Sequence, residues 1–216
     1  HEDVKEMSET DKTLSLLDSR FLDTPAYAVE QSRQVASVMA DKSRKAMDLA
    51  MELLQGYDDA KAEQVAQMET DVDRFEDELG TYLVKLSSRQ LSGKDSETLN
   101  TILHCIGDFE RISDHARNVK EAAQEMYDKK LDFSDKAQEE LKVFERAVHD
   151  ILDITMNSFI KGDLNLARQV EPMEEVIDGL SLDVKQRHVR RLRKGKCTIK
   201  LGFILSDVIT NFERVS

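Results

Sequence analysis

Apolar residues along this chain recur at steps of three and four over long stretches, and rarely on alternate positions. Val29, Ala36, Met39, Met47, Ala50 and Leu54 form one such stripe, the spacing of a helix that buries one face. Thr24-Pro25 opens that helix, with a hydroxyl for its cap and proline at the first helical position. Gly56, Asp58 and Asp59 close it. A second helix is predicted from about Ala60 to Leu91, stopped by Ser92-Gly93, and a third from Asp95 or Ser96 to about Tyr127. Phe133-Ser134 opens a fourth, which ends near Lys161-Gly162. The fifth runs from Asp163 to about Arg193 with Pro172 near its start, where proline kinks a helix or delays its regular beginning. Lys194-Gly195-Lys196 reads as a turn before a sixth helix from Cys197 onward. Residues 1–24 are polar with scattered leucines and read as a linker with at most a short helix. Short turns between long helices make antiparallel neighbours. The expected fold is all-α, with six long helices in two repeated antiparallel three-helix bundles, residues 25–130 and 131–216.

The division into halves rests on a repeat. Val65, Met68, Glu69 and Asp73 recur at the same spacing as Val170, Met173, Glu174 and Asp178. Phe109-Glu110-Arg111-Ile112-Ser113 recurs as Phe212-Glu213-Arg214-Val215-Ser216. Acidic residues held in register inside apolar frames suggest two copies of one carboxylate site.

Within the first copy, Glu69 and Asp73 are one turn apart and share a helix face, as do Glu110 and Asp114. Counted from the Ser92-Gly93 turn, the two pairs fall at nearly equal heights on antiparallel helices. In the second copy, Glu174 and Asp178 face Glu213 across Gly195, and the counterpart of Asp114 would follow Ser216. Two unit charges 4 Å apart cost about 4 kcal/mol at an effective dielectric of 20. Converging carboxylates must therefore protonate, spread into solvent or bind cations. Their oxygens suit calcium, magnesium, manganese, iron or zinc. The competing interpretation is a solvated acidic face, which any single pair would favour and the recurrence disfavours. No histidine here follows a Glu by three residues, which argues against a ferritin-like di-metal oxidase. His115 is expected to serve as a hydrogen-bonding group. Neither a nucleophile constellation nor a glycine-rich phosphate loop is evident, so no enzymatic activity is expected.

Charge refines this picture. With 31 basic and 43 acidic residues the net charge is −12, unsuited to nucleic acid. The segment 185–200 departs from that balance, holding eight Lys or Arg and no acid. Lys185, Arg187, Arg190, Arg191, Arg193 and Lys194 form either a solvated helix end, favoured by the helix dipole, or a docking patch for anionic lipid headgroups or an acidic partner. Cys105 and Cys197 make no disulfide framework, and a reducing compartment is the default. No apolar run reaches the roughly 20 residues that span a bilayer.

The segment 108–119, D-F-E-R-I-S-D-H-A-R-N-V, resembles the hallmark acidic motif of the PhoU family, and N-F-E-R-V-S at 211–216 looks like the start of its second copy. The segments 68–73 and 173–178 resemble that family's other acidic motif. Residues 17–31 are similar to the stretch joining the membrane part of bacterial sodium/phosphate cotransporters to a C-terminal cytosolic PhoU-like domain, and residues 190–197 also look like that branch. The resemblance implies two symmetric three-helix bundles carrying metal clusters, often iron or zinc. The implied ligands are Glu69, Asp73, Glu110 and Asp114 in one half and Glu174, Asp178 and Glu213 in the other, the second cluster being expected weak or absent without the Asp-His that should follow Ser216. Arg111 and Arg214 are expected to orient nearby acids. The implied role is a regulatory, metal-binding domain at the cytoplasmic face of the membrane. Its partners would be the transmembrane sodium/phosphate transport domain of the same polypeptide and, as an option, a second copy in a homo-oligomer. The alternatives are a metal-free helical interaction module and a free-standing PhoU-type regulator of a phosphate ABC transporter.

Overall fold

The computed structural model describes residues 7–216, and every regular element among them is helical. In chain order these are α1 (Glu9–Leu14), a 3-10 helix (Ser19–Asp23), α2 (Pro25–Gln55), α3 (Asp59–Ser87), α4 (Gly93–Asp128), α5 (Asp135–Lys161), α6 (Leu164–Ala167), α7 (Val170–Arg193) and α8 (Ile199–Val215). The six long helices are thus α2, α3, α4, α5, α7 and α8. Local chemistry sets their ends. Pro25 starts α2. The Ser134 hydroxyl accepts the Ala137 N–H to cap α5, and Thr198 does the same for Leu201 in α8. Gly162, at φ 63°, closes α5 in the left-handed region that disfavours any side chain.

Two stretches differ from expectation. The fifth helix is split: Asp163 caps the four-residue α6, and regular helix resumes only at Val170. Pro172 lies at the third position of α7, where its missing N–H has no helical acceptor to lose. The stretch before α2 is ordered into α1 and the 3-10 helix. A capping box of Ser8 and Asp11 starts α1, and Leu14 and Leu22 are buried. Residues 1–6 of the expected linker lie outside the described residues.

The chain divides into two compact units, and neither coincides with one sequence repeat. The first takes in residues 7–42 and Thr70–Glu110. There Lys42 Nζ donates to Asp71 at 2.7 Å and Thr10 at 3.2 Å, Arg74 reaches Asp11 at 2.6 Å, and the Tyr82 hydroxyl donates to the Asp18 carbonyl at 3.0 Å. These bonds hold the N-terminal stretch on a core that includes Met39, Phe75 and Leu83.

The second unit takes in Ser43–Glu69 and Arg111–Ser216. In it α5, α7 and α8 pack on one another. Phe144 of α5 meets Phe212 of α8 edge-on, ring centroids 5.3 Å apart, and both are fully buried. α7 and α8 form an antiparallel hairpin, since His188 lies beside Gly202 while Ser181 and Lys185 reach Glu213. Gly202 permits this approach: a Cβ there would stand 2.8 Å from His188 Nε2. None of the helices among the described residues is long and apolar enough to cross a membrane.

Candidate metal centre

On α3 the positions Val65, Glu69, Val72, Phe75 and Leu79 follow one helical stripe, and all are buried. Glu69 therefore carries its carboxylate into the packed face of its helix, leaving the residue 7% exposed. A carboxylate so placed needs a charged partner. Arg117, from the second unit's part of α4, supplies it: its Nη1 donates to Glu69 Oε1. The same guanidinium lies 3.5 Å from Asp114, one turn back on its own helix.

Glu69, Asp73 and Asp114 each offer a carboxylate oxygen, and these oxygens all lie within 4.8 Å of one another. Asp114 is half-buried and Asp73 exposed, so the group runs from the core to solvent. Oxygens sharing one iron or zinc ion at about 2.1 Å stand at most about 4.2 Å apart. A small side-chain movement would bring the three onto one ion, and oxygen donors suit such a cation. Arg117 is the complication. It already neutralises part of the charge, leaving the four groups at −2, and a metal would compete with it for Glu69.

Among the described residues, the other expected ligands do not join this group. Glu110 is half-buried on α4, one turn before Asp114. Glu174 and Asp178 are exposed on α7. Glu213 accepts hydrogen bonds from Lys185 Nζ and the Ser181 hydroxyl, both at 2.7 Å. Lys185 first, then Ser181, holds the Glu213 carboxyl below its ordinary range. The expectation that Glu213 faces Glu174 and Asp178 is thus not met.

Side-chain direction accounts for this. Side chains lean toward the N-terminus of their own helix. Across an antiparallel hairpin, a residue on the first helix therefore meets one set further from the connection on the second. Glu69, 18 residues before the end of α3, meets Arg117, 24 residues after the start of α4. Lys185, eight residues before the end of α7, meets Glu213, 14 after the start of α8. By that offset Asp178 and Glu174, 15 and 19 residues before the end of α7, look past Glu213, further from the connection.

Arg117 is the residue that sequence reasoning overlooked, having favoured Arg111 and Arg214. Its spacing of three from Asp114 was the available signal. His115 plays the hydrogen-bonding role expected of it: its Nδ1 lies 2.8 Å from Asn211 Oδ1, which also accepts from Asn118 at 3.1 Å. The second copy of the acidic motif thus begins with a residue tied to the first.

The basic segment separates into two kinds of residue. Arg190, Arg193 and Lys194 are exposed. Lys185 serves Glu213, while Arg187 and Arg191 approach Glu140 at 3.6 and 2.8 Å.

The family profile described as "PhoU domain" matches residues 36–123 and 142–216. The Thermotoga maritima protein named "Phosphate-specific transport system accessory protein PhoU homolog 1" is 22% identical over 194 residues, 87% of this chain and 83% of that protein. The Aquifex aeolicus protein named "Phosphate-specific transport system accessory protein PhoU homolog" is 22% identical over 187 residues, 86% of this chain and 83% of that protein. Among solved structures, PhoU from Pseudomonas aeruginosa superposes with a TM-score of 0.79 at 20% identity, over 86% of this chain and 88% of that one. The phosphate transport system regulatory protein PhoU from Streptococcus pneumoniae gives 0.75 at 16%, over 88% and 89%. The likeness to these structures is one of fold, and the profile covers well over half of the sequence. This chain belongs to the PhoU domain family.

Proposed function

We propose that this chain is a non-catalytic regulator of phosphate transport that binds metal through its carboxylate face and acts by docking on a membrane transporter. The observation that carries this reading is the convergence of Glu69, Asp73 and Asp114 in a member of the PhoU domain family. Those three residues would hold an iron or zinc ion, with Glu110 one turn away on α4. Such an ion would supply charge neutralisation and a fixed link between α3 and α4. The residues themselves tune its retention: Glu69 contributes a desolvated ligand, and Arg117 contributes a competing cation. The exposed Arg190, Arg193 and Lys194 suit an acidic partner or membrane surface, and self-association remains compatible with the reading.

The two curated relatives are named as accessory proteins of a phosphate-specific transport system, and each is aligned over 83% of its length. That favours a free-standing PhoU-type regulator. A second reading, a domain fused to a sodium-dependent phosphate cotransporter, is supported by residues 17–31 and 190–197. In-frame membrane spans encoded upstream of His1 would decide for it.

The test of the metal reading is elemental analysis of protein purified without chelator and loaded with iron or zinc. Glu69→Ala with Asp73→Ala is expected to lose most of the metal. Unchanged content in that double variant would leave a metal-free interaction module instead.

A further inference from the structure

The carboxylate face leaves unused a cavity of about 360 Å³ at the tip of the α7–α8 hairpin, whose walls include Ser134, His188, Arg191, Lys196 and Thr198. It lies where α5 and α8 begin and α7 ends. Two of its wall residues carry buried polar atoms that the protein leaves without a hydrogen-bond partner. His188 is 7% exposed, and its Nδ1 is buried without a hydrogen-bond partner. Arg191 has a side chain 13% exposed; it spends Nη1 on Glu140 at 2.8 Å, while its Nε and Nη2 are buried and unpartnered. Buried donors left unpaired are costly and uncommon in native proteins.

The surroundings have matching chemistry. Ser134 and Thr198 are the N-caps of α5 and α8, so two positive helix ends lie at the cavity. A neighbouring cleft shares Arg191 and Lys196 and adds Lys136, Arg190 and Lys194. Against these five cations stand three acids: Asp132, Asp135 and the Arg191 partner Glu140. In a chain of net charge −12, this is a local reversal of sign. A guanidinium with a free edge is suited to two oxygens of one tetrahedral anion.

We propose that this cavity binds a small phosphate-class oxyanion, with Arg191 and His188 as the inner donors and Lys196 at the mouth. The site is separate from the metal reading and does not depend on it. Its anion is either free inorganic phosphate or the headgroup of a phosphatidic acid.

The full chain is titrated calorimetrically with inorganic phosphate in the presence of a chelator, so that bound metal contributes nothing. In parallel it is sedimented with vesicles of phosphatidylcholine containing or lacking phosphatidic acid. Each arm is repeated with Arg191→Gln and with Lys196→Ala, folding being checked by circular dichroism. Lys196 is exposed, so its variant stays informative if Arg191→Gln unfolds through its Glu140 pair. Saturable phosphate binding that weakens about tenfold or more in Arg191→Gln, and a few-fold in Lys196→Ala, supports a free-anion site. Sedimentation that needs phosphatidic acid and falls in the same variants supports a headgroup site. Absence of saturable binding in both arms, or binding that both variants retain in full, overturns the proposal.

Discussion

The two copies of the acidic motif share sequence spacing but differ in what surrounds them. In the first, Glu69 is drawn into a buried stripe and meets Asp114, with Arg117 bridging the two. In the second, Glu174 and Asp178 point to solvent, and Glu213 is taken up by Lys185 and Ser181. Among the described residues the repeated carboxylates are thus brought together in the first copy and not in the second. What makes the first copy a candidate centre is desolvation of one acid and the arrival of a second from the neighbouring helix.

The largest effect expected to separate the copies is on metal content. Glu69→Ala with Asp73→Ala should strip most of the bound iron or zinc, while Glu174→Ala with Asp178→Ala should leave it unchanged. Equal losses from both double variants would erase the difference between the two copies.

Arg117→Ala sharpens it further. Removing the guanidinium leaves Glu69 buried beside Asp114, which should cost about 2 kcal/mol of stability in metal-free protein. The same variant should gain metal affinity, because the competing cation is gone. Chemical denaturation with and without zinc reads both effects; a loss of affinity would make Arg117 a supporting residue of the centre.

Glu145 provides a smaller, pH-dependent contrast within the second unit. Burial pushes its carboxyl up to about 7, although Gln55 donates to both oxygens at 2.9 and 3.0 Å. The folded state holds a proton that the unfolded chain releases, so stability falls as pH rises from about 4.5 to about 7. Glu145→Gln should accordingly add about 1 kcal/mol at pH 8, allowing for partial exposure, and nothing at pH 4. Melting temperatures across that range check it.

Lys185→Ala should have the least effect, about 0.5 kcal/mol at neutral pH, since its pair with Glu213 is part-exposed. Because Lys185 lowers the Glu213 carboxyl, the pair's contribution is present above the ordinary Glu range and lost as pH falls through the lowered value. The Lys185→Ala deficit should therefore vanish in acid.

Much of the fold was legible along the chain. Pro25, Ser134, Gly162 and the Lys194-Gly195-Lys196 turn marked helix ends within a residue or two of those observed, because caps and breakers act locally. The split at Arg168–Gln169 was less legible, since Pro172 alone does not say whether a helix bends or restarts. Glu69 and Asp114 were placed at a common height by counting from a turn. The same counting misplaced Glu213, because it took height alone and ignored the lean of side chains along each helix.

Periodicity and punctuation by themselves determined the six long helices, their order and the internal repeat, since each depends on residues within a few turns of one another. Tertiary structure alone decided which acids converge, that Arg117 stands among them, and that His188 and Arg191 line a cavity with donors to spare. Those outcomes depend on helix rotation and side-chain direction across an interface, which local spacing does not encode.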